Sequence, residues 1–168
     1  MIQQRRSSGE PSPAQGAVEV RLASPCDAAT IAGFNARMAW ETEGRRLISQ
    51  VASDGVNAVM DEPGHGFYAV AEQQGRVVGA LLVTHEWSDW RNARFWWIQS
   101  VYVAPEARRT GVYRALHRFV EDRARDAGNV CGLRLYVEKD NHIAQQVYEE
   151  MGMSDSGYHL YEQEFDAP

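Results

Sequence analysis

The chain has 168 residues, of which 44% are hydrophobic and 24% are charged, and this balance is typical of a globular protein that buries one sizeable core. The 17 basic and 23 acidic residues give a formal net charge of −6, which argues against a broad nucleic-acid-binding surface and still allows a small cationic pocket. The longest apolar run, residues 77–83, is too short to cross a bilayer, so no membrane helix is expected.

The N-terminal residues carry no periodic pattern. Residues 1–16 contain prolines, serines and glycines, and they predict a flexible leader ahead of a single domain over residues 17–168. Cys26 and Cys131 lie far apart without a Cys-x-x-Cys partner, and such lone cysteines are typical of reduced, packed residues in a cytoplasmic protein.

One strand and two helices are expected next. Alternation over residues 18–22 predicts a strand. A Ser-Pro-Cys-Asp sequence that begins at Ser24 offers a helix start, and apolar residues follow it at helical spacing. A further helix is expected over residues 45–51, with a turn or helix near residues 56–60.

Three β-rich runs follow one another along the chain. They cover residues 67–72, 76–85 and 94–103, and they are separated by Gln-Gln-Gly and by a polar loop at residues 88–92. Short turn-rich separators predict hairpins, so these three strands should be antiparallel.

The hydrophobic period changes to that of a helix after Gly111. A long amphipathic helix is expected up to Gly128, then a strand over residues 130–138, a helix over residues 141–151 and a closing strand over residues 158–165. A strand that is joined to its neighbour through a helix runs parallel to it, with a right-handed crossover. The predicted fold class is therefore α+β, a mixed sheet with helices on both faces.

The junction before the long helix carries the strongest chemical pattern. Arg108, Arg109 and Gly111 stand where a strand ends and a helix begins. The first N–H groups of a helix lack intrahelical partners and its dipole is positive there, while glycine lets the backbone approach a phosphate closely. Such a turn can bind an anion; the alternative is a tight turn with surface arginines.

Two motifs occur in order on this framework. One reads Arg108-x-x-Gly111-x-Tyr113 after Val103-Ala104-Pro105, and the other reads Asn141-x-x-Ala144-x-x-x-Tyr148-x-x-x-Gly152-Met153. Together they resemble the motifs of the GNAT superfamily of acyl-CoA N-acyltransferases, and the resemblance covers roughly residues 18–165 by element order. It implies a central, mostly antiparallel sheet in which one parallel strand pair splays apart.

The resemblance also implies a binding site for acetyl-CoA. Backbone amides of the turn would bind the pyrophosphate, and the strand before it would pair with the pantetheine arm. The cofactor-binding residues implied in this way are Val101, Tyr102, Val103, Arg108, Arg109, Thr110, Gly111, Val112, Tyr113, Arg114 and Asn141. Tyr148 matches the family's general acid, because a phenol is protonated at neutral pH and can donate to the departing thiolate.

Two positions depart from the family's pattern. Tyr113 stands where the family usually has a small residue, so its side chain must find room. Tyr136 stands where some members place a glutamate base, so the base must come from elsewhere or from a chain of waters. The predicted catalytic bases are Glu86 and Glu41, with His85 and Ser100 as weaker candidates.

The acceptor side is predicted from aromatic and acidic residues. Trp87 and Trp90 lie in the polar loop and predict an aromatic wall of the acceptor pocket, or a dimer contact. Trp96 and Trp97 alternate across the sheet, which favours core packing for one of them. An acidic rim that attracts a cationic amine would consist of Glu41, Glu43, Glu86 and Asp89; the alternative is that these carboxylates are ordinary solvated ones.

The sequence thus predicts an acetyl-CoA-dependent N-acetyltransferase that acts on a small cationic amine by direct attack in a ternary complex. The alternatives are a non-catalytic acyl-CoA-binding module and an acetyltransferase of protein amines. The expected partners are acetyl-CoA and the amine, without nucleic acid or membrane, and a homodimer is compatible with the sequence. The five histidines are scattered, so no metal site is expected, and His117 and His142 are expected on helix surfaces.

Overall fold

The computed structural model describes residues 16–163 and 165. These residues belong to two compact units: the first ends at Leu135, and the second begins at Tyr136. The described residues of the first unit form β1 (Glu19–Leu22), α1 (Ala28–Glu43), α2 (Ser49–Asp61), β2 (Phe67–Gln73), β3 (Arg76–Ser88), β4 (Ala93–Val103), α3 (Val112–Asp126) and β5 (Val130–Arg134). Those of the second unit form α4 (His142–Glu150). Among these helices, none is both long and apolar enough to span a membrane. Apart from Gly16, the predicted leader lies outside the described residues.

The five strands form one mixed sheet. Their order is β1-β2-β3-β4-β5, with antiparallel pairing from β1 to β4 and parallel pairing between β4 and β5. The parallel pair follows from α3, which carries the chain back to the end of the sheet where β4 begins. The predicted α+β class with a mixed sheet is confirmed.

Helices cover both faces of this sheet, because strand side chains alternate between two apolar cores. The core under α3 consists mainly of Ala69, Leu81, Val83, Trp96, Ile98, Val112, Leu116 and Val120. The core under α1 and α2 consists mainly of Ile31, Phe34, Val56, Tyr68, Val70, Ala80 and Tyr102. We call these two sides of the sheet the α3 side and the α1–α2 side.

A β-bulge interrupts β4 at Gln99 and Ser100. Val101 lies opposite Leu81 and Ile98 lies opposite Val83, so two residues of β4 face the single residue between them on β3. The extra residue resets the alternation of side chains, which places Val101 on the α3 side together with Ile98. Bulges of this kind bend a strand and increase its twist.

The parallel pairing stops where the bulge begins. The last pair joins Trp97 of β4 to Arg134 of β5, whereas β4 continues to Val103. In the part of the chain that the structure describes, residues 98–103 of β4 form a ladder with β3 alone. The parallel strand pair that the family resemblance implied is present, and its ladder ends just before the bulge in β4.

The observed α2 and β5 differ from the elements that the sequence predicts there. A single helix, α2, replaces the predicted helix at residues 45–51 and the turn near 56–60; packing of buried Val56 holds it together across Gly55. The strand predicted over residues 130–138 ends at Arg134, which forms the last ladder pair with β4 among the described residues.

The predicted closing strand over residues 158–165 is wrong in its described part. Residues 158–163 and 165 lie in no strand, and the side chains of Tyr158, Leu160 and Phe165 are exposed. Alternating aromatic residues alone do not make a strand, since each strand needs a partner to satisfy its backbone groups.

Candidate active site

The turn between β4 and α3, residues 104–111, has the geometry of an anion cradle. Arg109 and Gly111 both adopt left-handed backbone conformations, with φ of 63° and 89°. The Thr110 hydroxyl donates to the Ala107 carbonyl at 2.8 Å and fixes the turn. The first helical hydrogen bond runs from the Ala115 amide to the Gly111 carbonyl at 3.0 Å, so the amides of residues 112–114 come before that bond, at the positive end of the helix dipole.

The strand that leads into this turn offers an edge for an extended ligand. Val101, Tyr102 and Val103 lie beyond the last β4–β5 pair, and within the described residues their ladder partners belong to β3 alone. An extended chain can add to such an edge through backbone hydrogen bonds. The edge and the turn are continuous, which suits a ligand with an amide-containing arm and a phosphate group.

Tyr113 finds room within the α3 side of the sheet. Its ring centroid lies 6.0 Å from that of His117, one helical turn further on, and its side chain packs against the core there. The bulky residue therefore points away from the helix end instead of filling it. This observation removes the steric objection that the sequence raised at this position.

Arg108 makes two contacts with β4 and one with α1. Its Nε donates to the Val103 carbonyl at 2.9 Å, its Nη2 donates to Glu41 Oε2 at 2.6 Å, and its guanidinium carbon lies 5.5 Å from the Tyr102 ring centroid. Arg109 and Arg114, the other two arginines near the turn, are exposed.

Glu41 near the end of α1 accepts hydrogen bonds at both carboxylate oxygens. Besides the bond from Arg108, its Oε1 accepts from the Tyr102 hydroxyl at 2.8 Å. The Arg108 guanidinium, followed by the Tyr102 hydroxyl, lowers the pKa of the Glu41 carboxyl. A carboxylate with a lowered pKa is a weaker proton acceptor, so this environment weighs against Glu41 as a general base.

Glu86, the other predicted base, lies in a comparable environment on the α1–α2 side. Its carboxylate accepts from the Trp97 indole N–H and from Arg134 Nη1, the latter at 2.7 Å. The indole, followed by the guanidinium, lowers the pKa of Glu86. Arg134 in turn lies with its guanidinium carbon 3.7 Å from the Phe95 ring centroid. No local sequence pattern predicts this cluster, because its members lie on three different strands.

The predicted aromatic wall does not converge with Glu86. Trp87 follows Glu86 on β3, and successive strand residues point to opposite sides of a sheet. Trp90 is 88% exposed in the β3–β4 turn, where Asp89 accepts a hydrogen bond from the Trp90 amide at 2.9 Å. Trp96 is buried in the core under α3, as alternation predicted for one of the Trp96–Trp97 pair.

The remaining candidates lie at separate places. His85 packs on the α3 side against Phe67 and Trp96. Burial lowers the pKa of its imidazole, and a lowered pKa favours the neutral form. Ser100 is part of the bulge in β4. Glu43 is exposed at the end of α1.

The second unit carries the two remaining predicted site residues. Asn141 is the N-cap of α4, and its Oδ1 accepts a hydrogen bond from the Ala144 amide at 3.1 Å. Tyr148 is half-buried on the same helix, and burial raises the pKa of its phenol. A phenol with a raised pKa keeps its proton at neutral pH, as a general acid must.

Two expectations about single residues are wrong. Cys26 and Cys131 are unpaired, as expected, but both are exposed instead of packed. His117 is only 2% exposed, whereas a surface position was predicted for it. In the described part of the chain, no group of three or more His, Cys, Asp or Glu side chains could hold a metal ion.

A sheet whose parallel ladder ends before a helix-opening turn defines the class of acyl-CoA N-acyltransferase folds. The model of the acetyltransferase (GNAT) family matches residues 30–153, and the chain belongs to this family. A search of curated protein sequences gives no match.

Solved structures share the fold over most of its length. A possible acetyltransferase from Clostridium difficile 630 is 41% identical, with a TM-score of 0.82 over 89% of this chain and 99% of that one. An integron cassette protein from the mobile metagenome of Cole Harbour Salt Marsh is 23% identical, with a TM-score of 0.78 over 89% and 91% of the two chains. An aminoglycoside N-acetyltransferase in complex with CoA is 13% identical, with a TM-score of 0.74 over 91% and 98%.

Proposed function

We propose that the protein is an N-acetyltransferase that moves an acetyl group from acetyl-CoA to an amine by direct attack in a ternary complex. The observation that carries the proposal is the continuity of the end of β4 with the turn at residues 104–111: among the described residues, the ladder partners of Val101, Tyr102 and Val103 belong to β3 alone. The edge suits the amides of a pantetheine arm, and the turn suits a pyrophosphate. Family membership and a structural neighbour in complex with CoA support the same ligand.

The proposed acetyl-CoA site keeps the residues implied by the sequence, with one change of role. Backbone groups bind the ligand at Val101, Tyr102, Val103, Arg109, Thr110, Gly111, Val112, Tyr113 and Arg114, whereas the role of Asn141 stays a prediction from the family resemblance. Arg108 is not assigned a direct phosphate contact, since its guanidinium donates to Glu41 and Val103. Acetyl-CoA supplies the acetyl group as a thioester.

Tyr148 is the proposed general acid. The raised pKa of its phenol keeps it protonated, so it can donate to the sulfur that leaves. Glu41 and Glu86 are not favoured as bases, because Arg108 lowers the pKa of Glu41 and the Trp97 indole, followed by Arg134, lowers that of Glu86. The amine therefore loses its proton to water in this proposal, either before attack or through a chain of waters.

A small cationic amine is the proposed acceptor. Glu43 and Asp89 are exposed carboxylates that attract cations, whereas Glu41 and Glu86 are already paired with arginines. A structure of the aminoglycoside enzyme holds a bisubstrate analogue of CoA and acetylneamine, which makes polycationic amines a sensible first class to test. A cytoplasmic location is proposed because Cys26 and Cys131 form no disulfide.

A turnover assay with a graded set of acceptors tests the proposal. Release of the CoA thiol from acetyl-CoA would be followed with aminoglycosides, polyamines, amino-acid amides and peptides with free amino termini. We expect turnover with at least one cationic small molecule. Turnover with peptides only would favour a protein acetyltransferase and overturn the small-molecule assignment.

A non-catalytic acyl-CoA-binding module is the second candidate, and one observation favours it. Both carboxylates that could act as bases are held in ion pairs with Arg108 and Arg134. This function predicts that calorimetry detects CoA binding while no amine is acetylated at any pH between 6 and about 9, a range that spans deprotonation of many amines.

A further inference from the structure

Glu41 joins two segments that are far apart in the sequence. It stands 61 residues before Tyr102 and 67 residues before Arg108, and it accepts a hydrogen bond from each. Tyr102 lies near the end of β4, and Arg108 lies within the turn at residues 104–111. The carboxylate therefore bonds both the strand that leads into the turn and the turn itself.

The geometry of this link is fixed on the β4 side. The Tyr102 ring is 5% exposed, and its centroid lies 5.1 Å from that of Phe34 on α1, so its hydroxyl has one direction. Arg108 is held by its bond to the Val103 carbonyl as well as by Glu41. Charge-assisted hydrogen bonds of this kind are short and directional, so a shift of Arg108 displaces Glu41 with it.

The link continues into the exposed connection between α1 and α2, residues 44–48. Gly44 ends α1 in a left-handed conformation, and its amide donates to the Trp40 carbonyl at 3.1 Å. The Arg46 guanidinium carbon lies 5.2 Å from the ring centroid of Trp40, the residue just before Glu41. The connection is thus tied to the same helical turn that carries the carboxylate.

We propose that Glu41 is a positioning residue that couples CoA binding at the turn to the order of the α1–α2 connection. Through Arg108 and Tyr102, a ligand that fixes the turn also fixes the last turn of α1 and residues 44–48. By linkage, an acceptor that contacts this connection binds more tightly once CoA is present, and CoA binds more tightly in the presence of that acceptor. The inference rests on the proposed function, since it assumes that CoA binds at the turn.

Hydrogen–deuterium exchange with free CoA as the probe tests the coupling without knowledge of the acceptor. In the wild-type protein, CoA should slow exchange in peptides that cover residues 104–116 and also in those that cover residues 36–48. The slowing in residues 36–48 should be at least about fivefold, the lower end of ordinary coupling. Glu41→Gln should keep the slowing at residues 104–116 and lose it at residues 36–48.

A matched control breaks an ion pair elsewhere. Glu121 and Arg125 form an exposed pair on α3, and Glu121→Gln should respond to CoA like the wild type in both segments. A merely structural loss of stability in Glu41→Gln would speed exchange without CoA and leave the response to CoA in place. The response itself is therefore the decisive readout.

The other outcomes separate the coupling from the proposed function. Slowing at residues 104–116 alone in the wild type, or undiminished slowing at residues 36–48 in Glu41→Gln, would overturn the coupling and leave CoA binding intact. The absence of slowing in both segments of the wild type would overturn CoA binding and the coupling together. For any amine found in the turnover assay, Glu41→Gln should raise its KM more than it lowers kcat, whereas loss of a base would fall mainly on kcat.

Discussion

Gly79 on β3 lies directly beneath Val112, the first residue of α3. A Cβ atom at Gly79 would come within 2.9 Å of Val112 Cγ1 and within 3.2 Å of the Tyr102 carbonyl oxygen. The absence of a side chain therefore lets the N-terminal end of α3 rest on the sheet, and this contact sets the position of the turn before it.

Gly79→Ala should displace the start of α3. Overpacking of this kind costs about 1–3 kcal/mol of unfolding free energy, and we expect a clear loss of CoA affinity by calorimetry as well. Gly33→Ala is the matched control, because nothing lies within 4 Å of its added Cβ in α1 and alanine favours a helix. Equal CoA affinity in both variants would show that the contact does not position the turn.

A comparison of Gly111→Ala with Gly128→Ala tests whether backbone strain affects CoA binding only when it lies in the turn at residues 104–111. Gly111 and Gly128 flank α3 and both have positive φ, and among the described residues no atom lies within 4 Å of a Cβ added at either. Each alanine variant should lose about 1–2 kcal/mol of stability, since L-residues disfavour this conformation. Only Gly111→Ala should weaken CoA binding, and comparable weakening in Gly128→Ala would contradict the assignment of the turn.

Tyr148→Phe removes the proposed proton donor while keeping the ring. We expect kcat to fall by about 100-fold or more, because general acid catalysis usually contributes at least that factor, and CoA affinity to change little. Tyr158→Phe, which alters an 86%-exposed tyrosine of the same unit, should retain the wild-type rate. A Tyr148→Phe enzyme at full rate would remove Tyr148 from the mechanism.

His117 should make stability depend on pH near neutrality. Burial lowers the pKa of its imidazole, against the opposite influence of Glu121, and among the described residues neither ring nitrogen has a hydrogen-bond partner. At position 117 the unfolded chain then binds a proton more readily than the folded protein does. The free energy of unfolding is therefore highest above the ordinary histidine pKa, and it falls as the pH drops toward the lower pKa of the folded state.

Urea unfolding at pH 7.5 and pH 5.5 (conditions chosen on either side of the ordinary histidine pKa, about 6.5) measures this dependence. We expect His117→Leu to lose much of the wild-type decrease in unfolding free energy, while His142→Gln, which alters an exposed histidine, keeps it. The same pH dependence in His117→Leu as in the wild type would refute the assignment.

The charged carboxylate of Asp27 should stabilise the folded protein, and this stabilisation should be lost at acid pH, below the range in which His117 acts. Arg21 donates to both its carboxylate oxygens, at 2.7 and 2.9 Å, and Ser24 donates from its amide and hydroxyl; together, with Arg21 dominant, they lower the Asp27 pKa to about 2. A fall of the pKa from 3.8 to about 2 corresponds to about 2.5 kcal/mol of stability, present above the unfolded pKa and lost as the pH falls toward 2.

Asp27→Asn should therefore be less stable than the wild type at pH 7, and the difference should shrink steadily as the pH approaches 2. The measurement is urea unfolding across this range, with Asp122→Asn on the exposed side of α3 as the control. A difference that does not depend on pH would assign the effect to side-chain shape instead of charge.

Most of the fold could be predicted because its signals are local. Alternation marks β2, β3 and β4, and a helical period marks α3 between Gly111 and Gly128. The bulge at residues 99–100 could not be predicted in the same way, since it exists only in the register between two strands. The early end of β5 and the missing closing strand have the same origin, because both depend on what a segment pairs with.

The candidate site also contains one part that local sequence signals predict and one part that depends on long-range contacts. The turn at residues 104–111 is a contiguous motif, and the positive φ values at Arg109 and Gly111 agree with it. The sequence places Arg108 at the cofactor and Glu41 at the acceptor, and the structure joins these two residues in an ion pair. That pair spans 67 residues and depends on how α1 packs over β4, which no local pattern encodes.

The bulge makes the bend of β4 depend on a single extra residue. Deletion of either Gln99 or Ser100 would leave one residue of β4 opposite the one residue of β3 between Leu81 and Val83, so the ladder between these two strands would become regular. Ile98 and Val101 would then lie two residues apart and both stay on the α3 side, so Tyr102 would still face the core under α1 and α2. The deletion should therefore preserve the fold and straighten β4, so that CoA affinity falls more than stability does.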